Sequence, residues 1–328
     1  MSIRKTILAI DEDRAIEAIE GYLRDLIETR SVDGFLLGLS GGLDSAFLAA
    51  MAVRAVGSRR VYGVYLYDRA SGAQSKTHVR LLCQRLGLDL EERNIDPIME
   101  RQGLYGAGVM ALTAWSPLVN RFILAPLCRF ILGEAPFVAI LHRGRPGYNR
   151  LARAFHEHLS IIEHSFNVRH IYRRDFLEKR AAKEKLLLLG AANFTEYATG
   201  WFVQGGIDDV EHQPLVGLYK TQVRQLGQWI AVPTEILIQR PSPDMIRGIV
   251  DEIALGIDYT SLDLILDGID QGWSDEKITT FGVERRQIRH VRTIHRRSAW
   301  KRKPWTVRPP VDGRVAGGYR RYDCLRSP

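Results

Sequence analysis

Cysteine is scarce in this chain of 328 residues: Cys83, Cys128 and Cys324 are the only three, and no two form a Cys-x-x-Cys pair. That spacing argues against a disulfide framework and against a cysteine-rich zinc site. Cys83 falls among Val79, Leu82 and Leu86 on one helical face, where a thiol serves as a small buried hydrophobe. His156, His158, His164 and His170 cluster without any standard zinc spacing, so they read as solvated or capping histidines. No Gly-x-x-x-x-Gly-Lys-Ser/Thr string occurs, which removes the usual machinery for moving a terminal phosphate. A bilayer span, about twenty apolar residues with few charges, is also missing. The nearest approach, Val119 to Leu141, is interrupted by Asn120, Arg121, Arg129, Glu134, Pro126 and Pro136. Residues 117–142 are therefore expected to be buried in a subunit interface or a substrate pocket, with peripheral membrane contact as the less favoured reading. The opening Met1-Ser2-Ile3-Arg4-Lys5 has no apolar signal core, and a reducing, cytoplasmic location is expected. No internal repeat, low-complexity block or aromatic-rich RNA-recognition string is found.

What is present is the composition of an ordinary globular protein, 45% hydrophobic and 26% charged, long enough for a sizeable core. The net charge of +8 suits anionic substrates, and it is uneven: from Arg285 onward only Asp312 and Asp323 oppose a dense run of arginine and lysine. Such a segment can line a nucleotide site, meet an anionic membrane or bind nucleic acid. Nucleic acid is not expected as a partner, because the aromatic string is missing.

The most informative stretch is Phe35-Leu36-Leu37-Gly38-Leu39-Ser40-Gly41-Gly42-Leu43-Asp44-Ser45. A buried-strand run ends in a serine and two glycines and enters the helix-like Ala46 to Ala52. Gly41 and Gly42 let the backbone approach an anion closely, the positive end of the following helix favours it, and the Ser40 and Ser45 hydroxyls add donors. The loop reads as a phosphate cradle.

Around it, helical spacing of Ile16, Ile19, Leu23, Leu26 and Ile27 predicts a helix from Asp11 to about Arg30. Strands are expected at Val61–Leu66, at Asp89–Ile95 and from Lys185 to a functional end at Ala191, with helices at Ser75–Gly87, Thr195–Gly200 and Tyr219–Ala231. The alternation predicts an α/β fold, a doubly wound parallel sheet flanked by helices, with ligands beyond the carboxyl ends of the strands. Between residues 103 and 150 the pattern breaks. The expected division is 1–102 for the first half of the nucleotide domain, 103–165 for an apolar and basic helical insert, 166–272 for the second half, and 273–328 for a basic tail.

The Ser40–Ser45 loop resembles the pyrophosphate loop of the N-type ATP pyrophosphatases. Gly190-Ala191-Ala192-Asn193-Phe194-Thr195-Glu196 and Pro214-Leu215-Val216-Gly217-Leu218-Tyr219-Lys220-Thr221-Gln222-Val223 narrow the resemblance to the ammonia-dependent NAD synthetases. Asn94-Ile95-Asp96-Pro97, Val232-Pro233-Thr234-Glu235, Pro241-Ser242, Asp251-Glu252 and Leu255-Gly256-Ile257-Asp258-Tyr259 agree as well. The resemblance implies an adenine nucleotide α-hydrolase-like fold and amidation of nicotinic acid adenine dinucleotide with ammonia. The acid is first adenylated by ATP with loss of pyrophosphate, and AMP leaves afterwards. It implies ATP binding by Ser40, Gly41, Gly42, Asp44, Ser45, Arg173, Lys220 and Ser242. Lys220 and Asp44 are the implied catalytic pair, Asp44 and Glu196 the implied Mg²⁺ ligands, and a homodimer the implied assembly. No glutaminase portion is recognised, so free ammonia, or ammonia from a separate protein, is expected.

Some family positions differ. Ala191 stands where the family has threonine, Ile171 where it has arginine, Gly206-Ile207-Asp208-Asp209 where it has Gly-Asp-Gly-Gly, and Ile246 and Ile249 where it has tryptophan and glutamine. None of these touches the Ser-Gly-Gly loop, Glu196 or Lys220. Adenylation is the firmer expectation; an AMP-forming ligase acting on another carboxylate or carbonyl is the alternative.

Overall fold

The structure, a computed structural model, describes residues 8, 10–105, 120, 122, 125–141, 148–242, 249–302, 313–315 and 318–320. Cys324, Ile246, Val119, Arg121, the Ile123-Leu124 pair and most of the tail beyond residue 302 lie outside the described residues.

Four parallel strands form the sheet: β1 (Gly34–Gly38), β2 (Val61–Tyr67), β3 (Asp89–Asn94) and β4 (Leu186–Leu189), in the order β3-β2-β1-β4. Phe35 pairs with Val61 on one side and Leu187 on the other, and Tyr62 pairs with Asp89. A parallel bridge from Leu189 to His212 continues the sheet beyond β4. The chain steps outward from β1 to β3 and then crosses back to β4, so the direction of winding reverses between β1 and β4. Ligand crevices open at such a switch point.

Side chains of β1 alternate as the two-residue strand period demands. Phe35 and Leu37 enter one core with α1 (Glu12–Arg30) and α2 (Leu43–Val56), through Ile19, Leu23, Phe47 and Met51. Leu36 enters the other, with Val64, Leu188 and Leu177. On the first face lies α3 (Ser75–Leu86), which buries Cys83; burial pushes that thiol up to about 11, so it is inert at neutral pH. After β3 comes the short α4 (Asp96–Arg101).

The region expected to be an insert contains α5 (Ala125–Leu132) and α6 (Pro136–Ile140), followed by α7, a helix of 34 residues from Arg150 to Lys183. Cys128, Leu132 and Ala139 pack against Ala152 and Leu159 of α7. Helix α7 runs unbroken past residue 165 and carries all four clustered histidines. His156 meets the Ala139 carbonyl at 3.1 Å, a structural contact. Sequence reading missed the length of α7 because its amino half buries Leu159 and Ile162 while its carboxyl half buries Leu177 and Ala181 against a different core. No single apolar stripe runs its length. Among the described residues no helix is long and apolar enough to cross a membrane.

Helices α8 (Phe194–Thr199), α9 (Lys220–Trp229) and α10 (Thr234–Leu237) follow β4. Then come α11 (Asp251–Leu255), α12 (Tyr259–Asp270), α13 (Asp275–Thr279) and α14 (Arg285–Arg297). The first part of the basic segment is folded in: Ile278, Ile288, Val291 and Ile294 are wholly buried in the core that also holds Phe137 and Leu262. A short antiparallel ribbon joins Gly313–Val315 to Gly318–Arg320.

His295 of α14 gives this packing a pH signature. Burial, with Arg302 and Arg292 close by, pulls its imidazole down to about 4. An unfolded chain titrates it at about 6.5, so between these values only the unfolded state takes up the proton. Stability is then level above about pH 6.5 and falls as the pH drops, by at most about 3 kcal/mol from this group. Urea titrations at successive pH values are expected to show that slope, and His295→Gln to flatten it.

Candidate active site

The site is built where β1 and β4 end. Beyond β1 the chain turns through Gly41, whose φ of +80° a side chain rarely adopts. Space forbids one too, because a Cβ there would lie 2.6 Å from the Ser75 carbonyl oxygen at the start of α3. Helix α2 begins with Gly42 as its N-cap and no side-chain acceptor over its first turn. Its leading N–H groups are thus left to a ligand. Ser40 Oγ accepts from Gly42 N at 3.2 Å and lies 3.1 Å from Ser45 Oγ.

From β4 the chain enters α8 through Asn193, whose side chain accepts from Glu196 N at 3.0 Å, while Glu196 Oε2 accepts from Asn193 N at 3.2 Å. This reciprocal cap fixes the glutamate with its other oxygen 3.8 Å from the Lys220 ammonium. Asn193 Nδ2 also donates to Asp44 Oδ1 at 3.0 Å, and Lys220 Nζ donates to Asp44 Oδ2. Thus the phosphate loop, the end of β4 and the start of α9 meet at one ion cluster.

Lys220 is held from behind. Its backbone N–H donates to Thr195 Oγ1 at 2.9 Å, Thr195 Oγ1 donates to Asp263 Oδ1 at 2.5 Å, and Thr221 N donates to Asp263 Oδ2 at 2.9 Å. Asp263 is fully buried, and burial pushes its carboxyl up to about 6 against those donors. Tyr259 presents its ring 5.6 Å from the ammonium and donates its hydroxyl to Asp251 Oδ2 at 2.6 Å.

Charge in this cluster is unbalanced. Burial pulls the Lys220 ammonium down, but Asp44, Glu196 and Asp251 outweigh it, so the lysine stays charged well beyond neutrality. Burial, followed by the charge of Asp44, drives the Glu196 carboxyl well above its usual range despite Lys220. Three carboxylates around one ammonium leave room for a further cation. Hard oxygen donors from Asp44 and Glu196 suit Mg²⁺, which takes one or two carboxylates and completes its shell with water and phosphate oxygens. Among the described residues no group of three or more His, Cys, Asp or Glu side chains has metal-site geometry.

The opposite wall comes from α7. Arg173 donates through Nε to the Leu66 carbonyl at 3.1 Å and through Nη2 to Asp68 at 2.9 Å. Burial raises the Asp68 carboxyl, but Arg173 and Arg169 outweigh it and hold it below the usual range. Ser242 Oγ donates to the Ile249 carbonyl at 3.2 Å. The resulting cavity, about 260 Å³, brings Ser40, Gly42, Asp44, Ser45, Arg173, Glu196, Lys220 and Ser242 together. Gly41 is not among the lining residues and shapes the turn from beneath. Ala191, Ile207 and Asp208, three of the departures, also line it, whereas Ile171 is 46% exposed and Ile249 is buried.

Sequence reading did not single out Asp263, Asn193 or Asp68. The signal for Asp263 was a carboxylate inside the apolar run Leu262-Asp263-Leu264-Ile265-Leu266. A charge in such a run is buried only with partners.

A family model described as NAD synthase matches residues 15–105 and 125–305. The NH(3)-dependent NAD(+) synthetase of Thermotoga maritima is 33% identical over 250 residues, 76% of this chain and 85% of the relative. That of Thermococcus kodakarensis is 29% identical over 299 residues, 90% of this chain and 96% of the relative. Among solved structures, NMN synthetase from Francisella tularensis superposes with a TM-score of 0.64 at 21% identity, covering 90% of this chain and 97% of that one. An NH3-dependent NAD synthetase from Campylobacter jejuni gives 0.59 at 18%, covering 89% and 96%. At these identities the superpositions speak for the fold, the α/β sheet of the adenine nucleotide α-hydrolase type. The family match runs through the Ser40 loop, Glu196 and Lys220 alike, and the chain belongs to the NAD synthase family.

Proposed function

We propose that this chain is an ammonia-dependent NAD synthetase, which adenylates the carboxylate of nicotinic acid adenine dinucleotide with ATP and replaces AMP by ammonia. The observation that carries this reading is the meeting of the Ser40–Ser45 phosphate loop with the Asp44–Lys220–Glu196 cluster over one cavity. The names of the curated relatives support the choice of acid and of nitrogen donor.

In this reading the N–H groups at the start of α2, with Ser40 and Ser45, hold the β- and γ-phosphates. A carboxylate oxygen attacks the α-phosphorus, the bond to the bridging oxygen breaks, and pyrophosphate leaves with the electron pair. Lys220 offsets the negative charge that this step crowds together. Arg173, fixed by Asp68, and Ser242 bound the nucleotide side. Ammonia then attacks the acyl carbon, one proton is lost, and AMP departs. Asp44 and Glu196 are the residues that would hold Mg²⁺, which when bound supplies charge neutralisation for the triphosphate.

Residues 1–102 and 166–272 form the nucleotide domain in this reading, with the second part beginning inside α7, which it shares with the preceding segment, and the assembly is a homodimer. Phe130 of α5 and Leu151 and Ile161 of α7 are 87%, 63% and 52% exposed, apolar side chains suited to a subunit interface.

Purified protein given ATP, Mg²⁺, ammonium and nicotinic acid adenine dinucleotide is expected to yield NAD, AMP and pyrophosphate in equal amounts. AMP release should require the dinucleotide acid. Accumulation of ADP in place of AMP, or AMP formation indifferent to the acid, overturns the reading.

A further inference from the structure

A second recess, about 460 Å³, lies on the far side of α6 from the candidate active site. Phe137 and Ile140 of α6 face the active cavity, whereas Ala135 and Val138 line this recess. One wall is α14, thirteen residues with six arginines. Arg286, Arg289, His290, Thr293 and Arg297 recur at helical spacing along the face that lines the recess. Arg129 of α5 also lines it, with Nη2 3.3 Å from where a Cβ on Gly256 would stand.

The charges on this helix are not all treated alike. On the flank away from the recess, Arg292 pairs with Asp275 at 2.8 Å and Arg285 with Glu276 at 3.1 Å. On the recess side, Arg297 is taken by Glu134 at 3.1 Å and Arg286 by Glu284 at 2.5 Å. Arg289 and Arg129 have no carboxylate partner among the described residues. The floor is firm: Gly256, at φ +80°, leaves only 3.2 Å between an added Cβ and His290 Nε2, and His290 donates to the Leu255 carbonyl at 2.6 Å. Two guanidinium groups that line one recess without a carboxylate partner repel each other, and an anion held there relieves the repulsion.

We propose that this recess binds a phosphate-bearing small molecule, with Arg129 and Arg289 as its principal ligands. Guanidinium forks match phosphate oxygens in geometry as well as charge. The lining contains no Phe, Tyr or Trp, so it offers no large aromatic platform to a base. The anionic group itself is what the walls read.

Calorimetric titration of the full chain with inorganic pyrophosphate at fixed ionic strength tests this without turnover. Two binding events per chain are expected, one of them removed by Lys220→Ala. The other should survive Lys220→Ala and weaken about tenfold or more in Arg129→Ser/Arg289→Ser. Arg285→Ser/Arg296→Ser removes the same charge from outside the recess and is expected to leave it intact. Parallel titrations with ATP show whether a nucleotide or free polyphosphate is held there, and tighter binding of either at the Arg129- and Arg289-dependent site supports the proposal. A single event in the wild type, equal loss in both double variants, or tighter binding of a short RNA than of pyrophosphate through Arg129 and Arg289 overturns it.

Discussion

Replacing Lys220 by methionine is expected to lower the rate of AMP formation about 10³-fold or more while leaving a folded protein. The Lys220 side chain is 4% exposed, and its ammonium donates to Asp44 and stands 3.8 Å from Glu196, so no solvent cation or flexible neighbour takes its place readily. Preorganised charge in a water-poor site is worth far more to a transition state than the same charge in water. Methionine keeps most of the stem and loses the charge. Folding suffers less than catalysis because the stranded carboxylates respond by taking up protons, and Glu196 is already driven well above its usual range by burial and Asp44. Lys220→Arg is not expected to rescue: a planar fork does not occupy the place of a compact ammonium in a closed cluster. The measurement is kcat and the ATP KM from AMP release, beside a thermal melt. Should Lys220→Met fall within about tenfold of the wild type with an unchanged melt, the lysine is a structural counter-ion and the catalytic assignment fails.

Much of this arrangement could be read from the amino acids, and the reasons are physical. Strands buried on both faces write themselves as short apolar runs, which is why β1, β2 and β4 were found within a few residues of their ends. Asp44, Glu196 and Lys220 were brought forward by the resemblance to the NAD synthetases, and the fold places their side chains together at the starts of three helices. What joins them was not legible. Asn193 holds Asp44 across 149 residues of chain, and Asp263 reaches Thr195 across 68. Such bonds depend on how helices pack, which a single sequence does not spell out. The extent of α7 was hidden for the reason its burial shows, two half-length contacts with different cores. The same packing explains the basic segment, whose arginines were visible from the start. Only the fold shows that Ile288, Val291 and Ile294 anchor them.

Gly41→Ala is expected to damage both stability and turnover, and its neighbour supplies the control. At Gly41 the backbone has φ +80°, and an added Cβ would meet the Ser75 carbonyl oxygen at 2.6 Å and Ser75 Cα at 2.7 Å, both backbone atoms at the start of α3. Either the loop or the first turn of that helix must move. The left-handed backbone alone costs a non-glycine residue about 1 kcal/mol, and the clash adds to it, for a total of about 2–4 kcal/mol. Gly42 has φ −89°, and its added Cβ meets only Ser40 Oγ at 3.3 Å. Gly42→Ala is therefore expected to change stability by less than about 1 kcal/mol. Because the leading N–H groups of α2 are aimed by this turn, a shift of about 1 Å at Gly41 is also expected to lower kcat/KM for ATP about 10²-fold. Urea unfolding and ATP-dependent AMP release of the two variants together decide the matter. If both alanines cost the same in stability, the turn is not pressed against α3 as described. If Gly41→Ala unfolds more easily yet adenylates at the wild-type rate, the loop is not what grips the departing phosphates.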